Sequence, residues 1–176
     1  MARKKWARDL DETTTRLLRE HGLLAEPIDV EALARKLGAV VRRDELEDDV
    51  SGFLLVEGSV AAITVNARHH INRQRFTIAH ECGHLQLHAG SGDRLWVDKT
   101  HFYRSTSRAG EEFQEIQANQ FAAGVLLPES LIRASLGGRT TLTELDVSRL
   151  ALRFEVSDRA MTVRLISVGL IDAVTS

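Results

Sequence analysis

Cysteine is nearly missing: the 176 residues hold one, Cys82. A single thiol cannot build an internal disulfide framework, which excludes cross-linked secreted scaffolds and suits a reducing compartment. Net charge is nearly absent too, a formal −2 at pH 7, so no global field advertises a nucleic-acid or membrane partner. No apolar run approaches the roughly 18 residues of a membrane span, and no apolar signal core follows Arg3, Lys4, Lys5 and Arg8. Those four read as a solvated basic tail. The expectation is a cytoplasmic chain with neither membrane nor direct nucleic-acid contact. What is present, 43% apolar and 27% charged residues, is ordinary for a globular protein with a real core.

Local signals outline mixed α and β structure. Residues 12–21 read as an amphipathic helix ending near Gly22. Asp29 is a plausible N-cap for a second helix with Val30, Leu33, Ala34 and Leu37 on its apolar face, closed at Gly38. Ala39–Arg43 reads as a strand, and Gly52–Val56 and Val60–Val65 as a hairpin joined by Glu57-Gly58-Ser59. Polar residues are so sparse in that hairpin that at least one strand should be buried on both faces. A helix should start between His69 and Arg73 and run to His88, and another should run from Glu111 to near Pro128. Between them, 90–110 shows no period and reads as a long loop. Leu131–Leu136 is a short helix, and Thr143 and Ser157 can each cap one of two further helices.

The densest chemistry lies in Arg75-Phe76-Thr77-Ile78-Ala79-His80-Glu81-Cys82-Gly83-His84. On a helix, His80 and His84 sit one turn apart on one face, so both imidazoles can reach one metal ion. Glu81 lies about 100° round the helix from His80, beside the ion. There a carboxylate can take a proton from an activated water, the pattern of a zinc hydrolase. Chance alone places H-[DE]-x-x-H in roughly 4% of chains of this composition, so a third ligand matters.

One large group of such enzymes takes a histidine six residues after the second; that position is Gly90 here. His88 lies about 12 Å along the axis from His80, too far to share one ion with both histidines, and suits a core or supporting role. Glu115 is the better candidate. Asn119, one turn later, shares its face and can hydrogen-bond a ligating histidine. Ala118 and Ala122 would let that helix approach Gly83. Glu111 and Glu112 compete for the same role. Zinc is the expected ion, though manganese or iron suits the same donors. His101 and Tyr103, on the long loop, are candidate donors to a developing oxyanion.

These motifs, with His88, Phe121-Ala122-Ala123, Leu126-Leu127-Pro128, Ile28-Asp29-Val30 and Val65-Asn66, resemble the ImmA/IrrE family of metallo-endopeptidases. Two departures are Cys82, where an aliphatic residue is usual, and Gln117 in place of a common glutamate. The resemblance implies an α+β zincin core with a glutamate third ligand and a small β-sheet packed on the HExxH helix. It also implies cleavage of a cytoplasmic helix-turn-helix repressor. The expected division is 1–136 for the metallopeptidase and 137–176 for a helix-turn-helix-like segment packed on it. That segment sets Arg139, Arg149, Arg153, Arg159 and Arg164 against Glu144, Asp146, Glu155 and Asp158, too little excess charge to read DNA. A different class of function also accommodates these residues: a zinc-binding regulator that docks a partner without cutting it. Glu81 argues against it, because binding alone needs no base beside the ligands.

Overall fold

The computed structural model describes residues 5–88, 90, 94–99, 109–139 and 141–171. Its elements form an α+β chain that divides into two compact units: Asp29–Ala122, and Met1–Ile28 together with Ala123–Ser176. The sequence-based boundary at 136/137 falls inside the second of these.

The Asp29–Ala122 unit begins with α2 (Val30–Lys36). The Asp29 carboxylate accepts from the Ala32 N–H at 2.8 Å, as its N-cap position requires. Gly38, at φ +85°, releases the chain into β1 (Ala39–Asp44). β2 (Val50–Glu57) and β3 (Val60–Asn66) form the expected hairpin, and β1 pairs with β3 in parallel. Four consecutive β3 residues, Ile63, Thr64, Val65 and Asn66, are buried, so this interior strand is covered on both faces. The buried Asn66 amide donates to the carbonyls of Val50 (2.9 Å) and Glu47 (3.1 Å) and accepts from the Arg68 N–H (3.0 Å). One side chain thereby holds the acidic turn before β2 and the approach to the next helix.

That helix, α3 (Ile71–His88), packs on β2 and β3. Residues Thr77 to His84 are all buried, which an amphipathic surface helix would not allow. The sheet covers one side, and the other approaches α4 (Ala109–Leu126) at Gly83. A Cβ at Gly83 would stand 3.1 Å from Ala118 Cα and 3.2 Å from Phe121 Cβ. Any side chain there would make its neighbours give by a few tenths of an ångström.

The loop expectation for 90–110 is corrected in part. Arg94–Lys99 forms β4, an edge strand antiparallel to β2 with Leu54 opposite Trp96. Leu95, Trp96 and Val97 are all apolar, so no alternation marks the strand locally. Its hydrogen bonds come from residues some forty positions earlier. The sheet order is β1-β3-β2-β4.

In the other unit, α1 (Lys5–Glu20) starts earlier than the expected residue 12. Lys5 and Arg8 are helical rather than part of a tail, because Ala7 and Leu10 are buried and extend the apolar face. Arg3 and Lys4 lie outside the described residues. α5 (Glu129–Leu136) ends at Gly137 in the left-handed region, φ +59°. α6 (Glu144–Phe154) carries a capping box between Thr143 and Asp146, and Ser157 caps α7 (Asp158–Ser167). A three-residue turn joins α6 to α7, with Glu155 left-handed at φ 53°. Within this unit Leu18, Ile132, Phe154, Met161 and Leu165 are fully buried.

Candidate metal centre

α3 and α4 bring the donors together. On α3, His80 and His84 lie with their side chains 3% and 1% exposed, while Glu115 on α4 is 38% exposed. His80 Nε2 is 3.0 Å from His84 Nε2 and 3.2 Å from Glu115 Oε2. His84 Nε2 is 3.1 Å from Glu115 Oε1. The result is a compact triangle of donor groups, with a different Glu115 oxygen facing each histidine, open to solvent on the carboxylate side.

The triangle has the size that a tetrahedral ion demands. Ligand bonds of 2.0–2.1 Å place neighbouring donors about 3.3–3.4 Å apart. The three observed separations, two of them to different Glu115 oxygens, fall up to a few tenths of an ångström short of that. Two imidazoles and a carboxylate are also the donor set of a catalytic zinc site. Among the described residues this is the group of three that could hold a metal ion. Such donors crowd together at a cost unless a cation or protons lie between them.

His80 is oriented from behind. Its Nδ1 lies 3.1 Å from Asn119 Oδ1. The pairing that satisfies both has Nδ1–H donating to the amide oxygen, which leaves the Nε2 lone pair facing the triangle. Asn119 therefore occupies the place expected of it. Burial works against ionisation of Glu115, but with protons rather than a cation between the donors, hydrogen bonds from His80 and His84 and their charge outweigh it and hold the carboxyl at about 2. The glutamate is thus a carboxylate at any ordinary pH.

Glu81 is fully buried beside these histidines in sequence. Cys82 is buried as well; burial first, then the charge of Glu81, pushes its thiol pKa up, and it is not among the converging donors. His88 lies outside the triangle, its ring centroid 5.6 Å from that of His84. Burial and then the charge of His84 lower its pKa, against a hydrogen bond to the Gln114 backbone, and keep it neutral. Glu112 is exposed and is not among the converging donors. The Glu111 side chain, His101 and Tyr103 lie outside the described residues. Trp96 carried no local signal of a place in the site. Yet β4 delivers it to His84, with ring centroids 5.8 Å apart and planes 25° from parallel.

A family model described as Peptidase_M78, IrrE N-terminal-like domain, matches residues 34–165. Among solved structures, a Mycobacterium tuberculosis transcriptional regulator is similar, with a TM-score of 0.63 at 21% identity. The match covers 90% of this chain and 46% of that one, so this chain spans about half the length of that protein. At this identity the likeness concerns the fold. No curated protein matches the chain.

Proposed function

The chain belongs to the family of IrrE N-terminal-like, Peptidase_M78 domains, and from that premise we propose that it is a zinc-dependent endopeptidase of the zincin type. The single observation that carries this reading is the convergence of His80, His84 and Glu115 donors at 3.0–3.2 Å, beside a buried Glu81. A divalent cation held there would supply Lewis acidity, lowering the pKa of water towards 7 and polarising the scissile carbonyl.

The chain's own residues do the rest. His80, tethered by Asn119, and His84 present their Nε2 lone pairs, and Glu115 adds a negative donor from the solvent side. Glu81 takes a proton from the attacking water and returns it to the leaving amine. Its burial keeps that proton from leaking to bulk solvent. Tyr103 and His101 are the proposed donors to the oxyanion.

The proposed substrate is a cytoplasmic helix-turn-helix repressor, bound with the help of α6 and α7, so that 1–136 is the peptidase and 137–176 the recognition segment. The likeness to a transcriptional regulator is in keeping with a place in gene control. Direct DNA binding by α6 and α7 is disfavoured. Arg139, Arg153 and Arg164 are engaged with Asp146, Glu26 and Asp11, which removes three of that segment's five arginines from free positive surface. No helix among the described residues is long and apolar enough to cross a membrane.

The test is co-expression with any helix-turn-helix repressor encoded beside it, using wild type and Glu81→Ala. The wild type should hold about one zinc per chain and cleave the partner. Glu81→Ala should keep the zinc and lose cleavage by about 10²-fold or more. Full activity of metal-free protein overturns the assignment; a partner left intact by both forms favours the docking regulator instead.

A further inference from the structure

The two histidines of the triangle are held in different ways. His80 has the Asn119 hydrogen bond at Nδ1. The buried Nδ1 of His84 has no hydrogen-bond partner among the described residues. An imidazole is nearly free to turn about its last torsion, which is broad and roughly two-fold. A ligand that must aim Nε2 therefore needs another restraint.

Trp96 offers one. Its pairing opposite Leu54 puts it on the same sheet face as that buried residue, and its ring lies almost parallel to His84 at 5.8 Å. That separation falls within the range of offset aromatic stacks. The Arg94 guanidinium, two residues earlier on the strand, lies 5.9 Å from the Trp96 ring centroid, within cation–π reach. It helps fix the indole in turn. We infer that Trp96 is a positioning residue for His84, its indole face holding the imidazole plane so that Nε2 points at His80 and Glu115. The inference rests on the metal reading above and deepens it.

The stack also favours the loaded state. An imidazole that gives its lone pair to a cation becomes electron-poor, and the negative face of an indole attracts an electron-poor ring. The contact is then stronger with metal than without, and it contributes to affinity as well as to the fold.

Zinc affinity, measured by competition with a chromogenic chelator, separates the possibilities, with the visible absorption of bound Co²⁺ as a geometric readout. Trp96→Leu, which keeps apolar cover but loses the ring, should bind zinc about tenfold more weakly and alter the cobalt spectrum. Trp96→Phe should restore binding to within about threefold. Wild-type affinity and spectrum in Trp96→Leu overturn the inference, provided His84→Ala loses the metal. If His84→Ala retains it, the metal reading itself fails and takes the inference with it. A folding-independent check uses Trp6→Phe, which leaves Trp96 as the chain's only indole. Co²⁺ should quench its fluorescence, reaching a plateau at one equivalent; absence of quenching overturns the proposal.

Discussion

In the unit built from residues 1–28 and 123–176, Arg164 in the last turn of α7 meets Asp11 at 2.6 Å and donates its Nε–H to the Leu127 carbonyl at 2.9 Å. In the unit 29–122, His80, His84 and Glu115 turn three lone-pair donors on one another. Both arrangements take polar groups out of water. In the first, a donor answers an acceptor and the opposite charges cancel. In the second, the groups are acceptors facing acceptors, complete only when a cation or protons lie between them. A closed polar network marks structure, and an open one marks a place where something binds.

The contrast can be broken from either side. The largest effect is expected from Glu115→Gln. It should abolish stoichiometric zinc binding, read as metal content after gel filtration, while the metal-free protein keeps wild-type circular dichroism. A metal-free variant that fails to fold would mean the triangle is itself structural.

Arg164→Met should cost about 3–5 kcal/mol in urea denaturation, because it strands Asp11 in a buried position. Adding Asp11→Leu should recover much of that loss, since a closed pair can be replaced by apolar packing. A single variant as stable as wild type would contradict the closed network.

Gly83→Ala sharpens the comparison within the 29–122 unit. The new methyl meets Ala118 and Phe121 at 3.1–3.2 Å, so α3 and α4 must separate. Overpacking of this kind costs about 1–3 kcal/mol, and the separation draws Glu115 away from the histidines. Zinc affinity by chelator competition should therefore fall together with thermal stability. An undiminished affinity would show that the triangle tolerates the shift.

The smallest effect concerns acid stability in the α6 cap. The backbone N–H and hydroxyl of Thr143, then Arg139, hold the Asp146 carboxyl well below the usual carboxylate range. A depressed folded value means the stabilisation is whole above the unfolded carboxylate pKa of about 4 and drains as pH falls towards the folded one. Asp146→Asn should flatten that acid limb in urea midpoints taken between about pH 2 and 6. An unchanged limb would remove Asp146 from the account.

Much of this was legible locally. His80 and His84 share a face because a helix repeats every 3.6 residues. Asp29, Thr143 and Ser157 cap their helices because their side chains reach backbone N–H groups three residues ahead. Gly58 turns the hairpin at φ +58°. Glu115 was harder: in its own helix only Asn119, one turn later, sets it apart from Glu111 and Glu112, and the demand for a third ligand added the rest.

Other features had no local sign. Arg164 counts as a positive charge in the chain and is a buried ion-pair partner in the fold. Arg94–Lys99 is a strand only because β2 offers an edge. Trp96 reaches the candidate metal centre only because that edge carries it to His84.

By itself the sequence determined the helix with its paired histidines and the caps and turns, since each depends on neighbours within a few positions. The tertiary structure alone decided that Glu115 is the carboxylate that converges, that Trp96 lies on His84, and that Arg164 is spent on Asp11. Those contacts join residues from about a dozen to more than a hundred positions apart. Their existence depends on packing, which no local pattern encodes.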